Sequence, residues 1–332
     1  MNAPNPTPAV SVIIPAYNAA AFIPETLASV FSQTLSNFEV IVVNDGSPDT
    51  PALEKALRPF QDRILYLRQE NSGPAGARNH GIRKAQGEFV AFLDSDDAWP
   101  PEYLSAQMKM FAEQPALDLV YADGELFGDG PLPRQRFMQT SRPPTDLVGL
   151  LSEGSQFIPS GTVVRKKTVE QAGYFDESLR GPEDYDLWLR LAYGGAHIAY
   201  QPDILFHRRT HPAALTANEH KMVSALVRVF RKLQNAPQLP PEARTLLEKQ
   251  LGQATGELGL FEGKAALQRH DAQYALQQFR NAYSYFGGWK LRLLLLGLRF
   301  APQWTCRIAA AIQKPASRAG TVPIPQTQQS SG

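Results

Sequence analysis

The sequence predicts an α/β fold: a mainly parallel central sheet flanked by helices, followed by a helical extension at the C-terminal end. Three observations carry this. From Val10 to about Tyr121, short apolar runs rich in Val and Ile alternate with segments of helical periodicity, the rhythm of strands joined by crossover helices. Three of these runs break into polar or aromatic residues at the same end. Val10–Ile14 runs into Pro15, Ala16, Tyr17 and Asn18; Phe38–Val43 into Asn44, Asp45, Gly46 and Ser47; Glu88–Leu93 into Asp94, Ser95, Asp96 and Asp97. Beyond roughly Leu215 the strand pattern stops and only helical periodicity remains.

The elements follow in order. Ala20–Gln33 reads as a helix after the first strand, and Pro51–Phe60 as a shorter one after the second. Arg63–Arg68 is a third strand. The Gly-rich turn from Asn71 through Gly73 and Gly76 to Arg78 and Asn79 runs into a helix over Ala75–Gln86. Its glycines fit neither the dinucleotide fingerprint nor a P-loop. Pro101–Gln114 is a helix with Pro at its start, as helices prefer, and Asp118–Tyr121 is a further strand. Gly124–Pro144, rich in Gly, Pro and Arg, reads as a loop over the site. Thr162–Val164 is a short strand and Glu183–Tyr193 a helix. His197–Tyr200 and Ile204–His207 are two short strands closing the domain. Glu219–Gln234 and Pro241–Gln268 are helical. Gly263 with Asp271–Tyr285 resembles one helix–turn–helix unit of a tetratricopeptide array, through Ala275, Phe279, Ala282 and Tyr283. A single such unit must pack on its neighbours.

Composition narrows the function. The chain has 332 residues, is 43% hydrophobic and 20% charged, and carries 33 Lys+Arg against 32 Asp+Glu. That balance gives no field for nucleic acid. The single cysteine, Cys306, excludes an intrachain disulfide and fits a reducing compartment. Met1 to Ala9 lacks the apolar core of a signal peptide, and no run reaches the length of a spanning helix. The expected localisation is cytoplasmic, with peripheral contact to the cytoplasmic membrane face as an extension of that reading.

An apolar strand that breaks abruptly into three carboxylates points to chemistry at the carboxyl edge of the sheet, where open α/β sheets bind ligands. Carboxylates are hard oxygen ligands. One or two of them, with substrate phosphates, commonly hold Mg²⁺ or Mn²⁺. The alternative for such a loop is a turn or a helix cap.

Six motifs in order make the chain resemble the family 2 glycosyltransferases, inverting enzymes with the GT-A nucleotide-sugar-binding fold. They are Val12 to Asn18, Val42 to Ser47, Gly73 to Asn79, Phe92 to Asp97, Gly173 to Asp176, and Glu183 to Arg190. The match covers roughly the first two-thirds of the chain. It implies a sugar moved from a nucleotide-diphosphate donor, most simply a UDP-sugar, to an acceptor hydroxyl of a glycan or lipid-linked saccharide. In the resemblance Asp96 is the direct ligand of Mn²⁺ or Mg²⁺, and Asp94 contacts ribose or metal-bound water. Pro15, Tyr17, Asp45, Arg78, Asp94 and Ser95 belong to the nucleotide-sugar site. Tyr17 offers a stacking face, Asp45 accepts a hydrogen bond from the base, and Arg78 reaches the base or the phosphates. Asp97 is read instead as a cap of the following helix.

An inverting transfer needs one carboxylate to take the acceptor's proton. Asp184 is the expected base, with Glu183 in reserve. A purely structural reading competes, because acidic residues in a first helical turn complement the helix dipole. Trp188, one turn beyond Asp184, is expected at the acceptor cleft or in the core. His211, after Arg208 and Arg209, fits the place of a basic segment that contacts the donor diphosphate.

The expected organisation is a flexible stretch over 1–9, a GT-A domain over 10–215, a helical region over 216–312 and a disordered tail over 313–332. The segment 289–312 is apolar with a basic stripe, and no acidic residue follows Asp271. It reads either as a helix packed on the catalytic domain or as a peripheral contact with an anionic membrane. The alternatives to an enzyme of this class are a non-catalytic nucleotide-sugar scaffold or sensor and, lower in rank, a nucleotidyltransferase.

Overall fold

In a computed structural model of the chain, the structure describes residues 7–128, 135–138, 143, 145–210 and 219–312. His211 and the expected tail lie outside the described residues, as does most of the expected loop after residue 128. The chain divides into two compact units, Met1–Ala254 and Thr255–Gly332.

The first unit is built on a seven-stranded sheet in the order β3-β2-β1-β4-β6-β5-β7. Its strands are β1 (Val10–Ala16), β2 (Phe38–Asp45), β3 (Leu65–Gln69), β4 (Phe89–Phe92), β5 (Leu119–Phe127), β6 (Thr162–Arg165) and β7 (Ile198–Arg209). Strands β1 to β4 run parallel, β6 is antiparallel to both β4 and β5, and β5 pairs parallel with β7. The centre of β1 and β2 is buried on both faces, which is why these strands read as continuous Val/Ile runs rather than alternating ones.

Register delivers the site. Ala16 sits opposite Asn44, Asp45 opposite Gln69, and Ile13 opposite Phe92. The residues that follow β1, β2 and β4 therefore emerge along one edge. Strand order reverses between β1 and β4, which marks a crevice at their carboxyl ends.

Helices α1 (Ile23–Phe31), α2 (Thr50–Leu57), α3 (Gly73–Lys84) and α4 (Tyr103–Glu113) follow β1, β2, β3 and β4. Helix α1 buries Ile23, Thr26, Leu27 and Val30, one face of a 3.6-residue period. Helix α3 uses small residues instead. A Cβ at Gly81 would lie 2.5 Å from Ile13 Cγ2, so only glycine lets the helix sit this close to β1. The shorter α5 (Leu147–Glu153) and α6 (Lys166–Gln171) flank β6, and α7 (Glu183–Tyr193) precedes β7.

Two expectations change. The loop expected from Gly124 is still strand, because Gly124 to Phe127 pair with Phe206 to Arg209. The two short strands expected over 197–207 form the single strand β7, with register shifts between Ala122 and Asp123 and between Asp123 and Gly124 absorbing Pro202, Asp203 and Leu205. Helix α8 (Glu219–Gln234) lies within the first unit. Its Phe230 meets Tyr185 edge-on, and its Lys232 pairs with Asp176 and Asp186.

Helix α9 (Pro241–Gln268) contains the division between units. The second unit adds α10 (Ala272–Phe286), α11 (Trp289–Phe300) and α12 (Pro302–Ile312). Asp271 caps α10 by accepting from the Tyr274 N–H at 3.0 Å, the usual use of Asp before a first turn. Ala266, Leu267, Ala275, Phe279, Leu298 and Cys306 form a second core. The repeat-like unit thus buries its face against α11 and α12. No helix among the described residues is long and apolar enough to cross a membrane.

Candidate active site

The edge at the ends of β1, β2 and β4 gathers the predicted residues. Tyr17, just past β1, is 48% exposed. Pro15 holds the last turn of β1 opposite Val43, and Asn18 sits at φ 52°, a left-handed conformation that asparagine tolerates.

Asp45, at the end of β2, is buried and occupied. Its Oδ1 accepts from the Ser72 N–H and the Gln69 amide, both at 2.8 Å, and its Oδ2 from the Gly73 N–H at 2.8 Å. The Ser72 and Gly73 N–H groups open α3, so Asp45 caps that helix from a distant strand. Among the described residues Oδ2 accepts only that one hydrogen bond.

The acidic segment after β4 is held from several sides. The Thr26 hydroxyl reaches the Ser95 carbonyl at 2.9 Å and the Asp97 carbonyl at 2.8 Å. The Arg209 side chain donates to the Asp96 carbonyl at 2.9 Å. Asp94 and Asp96 are half-buried.

Asp97 is not the cap expected of it. Helix α4 begins only at Tyr103, and the Asp97 carboxyl is buried, accepting from the Ser160 hydroxyl at 2.6 Å and the Arg209 N–H at 2.9 Å. Burial and the neighbouring Asp96 and Asp94 push this carboxyl well above the usual range. Ser160 also accepts from the Asp94 N–H at 3.1 Å, so it fixes both ends of the acidic turn.

Arg78 is the centre of the arrangement. Its side chain is only 4% exposed. One Nη donates to Asp94 at 2.6 Å and the other to Glu183 at 3.0 Å. Burial opposes the charge, but the carboxylates of Asp94 and Glu183 outweigh it and hold the guanidinium firmly protonated. Its Nε is buried without a partner among the described residues. Arg78 thus engages carboxylates across the edge, where the sequence placed it on the base or phosphates.

Three carboxylates stand in the first turn of α7. Glu183 is consumed: Arg78 takes one oxygen and the Gly181 N–H the other, at 2.9 Å. Asp186 is paired with Arg190 at 2.8 Å and Lys232 at 3.1 Å. Asp184 accepts one hydrogen bond, from the Tyr185 N–H at 2.7 Å, and keeps partial solvent contact. Burial, then the charge of Glu183, raise its pKa to about 7.

Trp188 leaves the site altogether. It is fully buried between Phe157 and Phe175, with ring centroids 5.3 and 6.3 Å away. Fully buried against these two rings, Trp188 is core and lines no cleft. His211 lies outside the described residues.

The sequence alone gives no role to Thr26, Asn79 and Ser160, and reads Arg209 only as part of a basic segment near the donor diphosphate, whereas here it braces the acidic turn. Asn79 pins the Gly173–Asp176 segment by donating to the Phe175 carbonyl at 2.9 Å and accepting from the Phe175 N–H at 2.9 Å. Asn79 falls within the Gly73 to Asn79 motif. Nothing local in the sequence marks Thr26 or Ser160.

Among the described residues no group of three or more His, Cys, Asp or Glu side chains is placed to hold a metal. The donor set nonetheless suits a hard divalent cation. Asp94 and Asp96 put two carboxylates at one strand end, and after burial their charge also disfavours ionisation of the adjacent Asp97. Two protein carboxylates completed by substrate phosphates would be the ligand set.

Comparison with known proteins gives the family and the fold. Residues 11–171 match the family model for glycosyl transferase family 2. A putative teichuronic acid biosynthesis glycosyltransferase, TuaG of Bacillus subtilis, is 31% identical over 231 residues, covering 68% of this chain and 89% of the relative. The chain belongs to glycosyl transferase family 2. An uncharacterized glycosyltransferase of Rickettsia conorii is 33% identical over 214 residues, covering 61% of this chain. The chain spans about a third of the length of that relative and of its Rickettsia felis counterpart.

Among solved structures, S. aureus TarS residues 1–349 in complex with UDP-GlcNAc superposes with a TM-score of 0.60 at 20% identity, covering 91% of this chain and 90% of that one. The mannosyltransferase PcManGT of Pyrobaculum calidifontis, in complex with GDP-Man and Mn²⁺, gives 0.55 at 25% identity, covering 93% and 88%. The likeness supports the GT-A-type arrangement of the family 2 fold, with helices at the C-terminal end.

Proposed function

We propose that this family 2 glycosyltransferase moves a sugar from a nucleotide-diphosphate donor to an acceptor hydroxyl by a single displacement that inverts the anomeric carbon. The observation that carries the reading is the buried Arg78, which ties Asp94 of the acidic turn to Glu183 beside Asp184. One guanidinium thereby sets the position of two carboxylate groups with different tasks.

The nucleoside sits along the ends of β1 and β2. Tyr17 offers its exposed ring to the base, and Asp45 its Oδ2. Asp94 and Asp96 would hold Mn²⁺ or Mg²⁺ against the donor diphosphate, where such an ion supplies Lewis-acid neutralisation of the leaving group. Asp184 takes the proton of the acceptor hydroxyl as its oxygen bonds to the anomeric carbon. The bond from that carbon to the diphosphate oxygen breaks at the same time, and the diphosphate leaves with the electron pair. A pKa of about 7 suits Asp184 to this task, since a base works best when its pKa lies near the operating pH. Glu183 and Arg78 act as positioning residues, because both oxygens of Glu183 are already engaged.

The neighbours' UDP-GlcNAc and GDP-Man support a nucleotide-sugar donor, and uridine is the nucleoside we favour. The similarity to a putative teichuronic acid biosynthesis enzyme supports an acceptor in polysaccharide biosynthesis, either a growing glycan or a lipid-linked saccharide. The test is a nucleotide panel of UDP, GDP, dTDP and CDP, read by thermal shift with and without Mn²⁺. Metal-dependent stabilisation by one diphosphate, lost in Asp96→Ala, is the expected result. Stabilisation by none of them would contradict the reading.

A further inference from the structure

The second unit presents an apolar, cationic surface that the transfer reaction does not use. In α11 the side chains of Trp289, Leu293, Leu296 and Phe300 are 68%, 58%, 44% and 75% exposed. Their spacing of four, three and four residues places them on one helical face. The opposite side of α11 is spent on the second core, through Leu291, Leu294, Leu295 and Leu298. In α12, Trp304 and Ile308 are 68% and 56% exposed, one turn apart. The α11–α12 corner is tightly closed, since a Cβ at Gly297 would lie 2.8 Å from Thr305 Oγ1. These aromatics are therefore displayed by a packed corner whose inner sides are already buried.

The charges among them have one sign. Lys290, Arg292, Arg299 and Arg307 are exposed on the same two helices, and the sequence has no Asp or Glu after Asp271. The Lys290 ammonium lies 5.8 Å from the Trp289 ring and the Arg299 guanidinium 5.5 Å from the Phe300 ring. The cations thus flank the apolar side chains instead of pairing with carboxylates.

We propose that α11 and α12 form a peripheral docking surface for an anionic phospholipid bilayer, with Trp289, Phe300 and Trp304 entering the interface and the four cations meeting lipid phosphates. Charge complementarity selects this occupant. Helices with Trp, Phe and Leu on one side and Lys and Arg beside them lie in the plane of the headgroups, where aromatic rings concentrate and anionic lipid attracts each nearby Lys or Arg. A second copy of the chain would bring the same uncompensated cations face to face, with no carboxylate on the surface to receive them.

Full-length protein is mixed with phosphatidylcholine vesicles, with and without about one-third phosphatidylglycerol, and floated on a density gradient. Partitioning at least about tenfold stronger on the anionic vesicles, reduced by salt, is the expected result. Trp99 and Trp188 are buried, so a blue shift of tryptophan emission on binding must come from Trp289 and Trp304. The combined Trp289→Ser, Phe300→Ser, Trp304→Ser variant and the separate Arg292→Gln, Arg299→Gln, Arg307→Gln variant should each lose flotation while keeping the wild-type melting temperature and nucleotide response. If the apolar variant unfolds, the charge variant alone decides. Equal partitioning on neutral vesicles, no flotation at low salt, unchanged binding by the charge variant, or a lipid-free dimer dissolved by either variant would each overturn the proposal. Failure here leaves the sugar-transfer reading intact, because vesicle binding is scored without donor or acceptor.

Discussion

Arg78 and Glu183 form a buried ion pair at 3.0 Å, joining residues 105 positions apart in the chain. The pair links the helix that follows the Gly-rich turn to the helix that carries Asp184. With Asp94 on its other nitrogen, Arg78 makes the acidic turn and the α7 N-terminus one electrostatic unit.

Removing one partner of that unit should be expensive. Arg78→Ala leaves Glu183 buried and Asp94 without its closest cation. We expect a loss of about 3–5 kcal/mol in stability, typical of breaking a buried pair, measured by denaturant unfolding. An effect below about 1 kcal/mol, as for a surface pair, would show that Arg78 is solvated.

Asp184→Asn should preserve the fold while lowering the transfer rate about 10²–10⁴-fold, the usual range for a general base. Because burial and Glu183 raise the Asp184 pKa to about 7, the wild-type rate should climb on an acid limb centred near that pH and then level off. The variant should lack the limb.

The same shift has a consequence for stability, with the opposite sign. A carboxyl that holds its proton more tightly when folded contributes stability at pH below its unfolded value, and this is lost as pH rises through about 7. Asp184→Asn should therefore be more stable than wild type above pH 8, by something on the order of 1–3 kcal/mol. The difference should vanish below about pH 4, as followed by thermal melts across pH.

Trp188→Ala should destabilise by about 3–5 kcal/mol, as expected for a large aromatic removed from a packed core. Trp188→Phe should leave the acceptor KM unchanged. A KM effect in a stably folded Trp188→Phe variant would place the indole at the cleft after all.

Much of this site is legible in the sequence, because the strands are continuous apolar runs and their polar ends stand out against them. Asp45, Asp94 and Asp96 could be named from that contrast, and parallel register then brings them to one edge. What local pattern does not carry is partnership. Asp97 looks like a cap until the hydroxyl of Ser160, 63 residues later, donates to its carboxyl. Arg78 looks like a ligand contact until Glu183 is folded against it. Trp188 has the spacing of a cleft residue and of a core residue alike, and only the facing Phe157 and Phe175 decide. The strand over Gly124–Phe127 is hidden for a related reason: the Gly- and Pro-rich residues that follow it read as a loop, and its ladder is supplied by β7.

The most direct test measures nucleoside-diphosphate release from UDP-, GDP- and dTDP-sugars with Mn²⁺, for wild type and Asp184→Asn side by side. Water can serve as a slow acceptor, so the natural acceptor is not required. A transferase with Asp184 as base should release one diphosphate, and the variant should lose about 10²–10⁴ of that rate while its melting temperature still rises with the same nucleotide. Nucleotide-dependent stabilisation with no release from any donor would contradict catalysis and point to a nucleotide-sugar scaffold. Equal release by both proteins would remove Asp184 from the reaction.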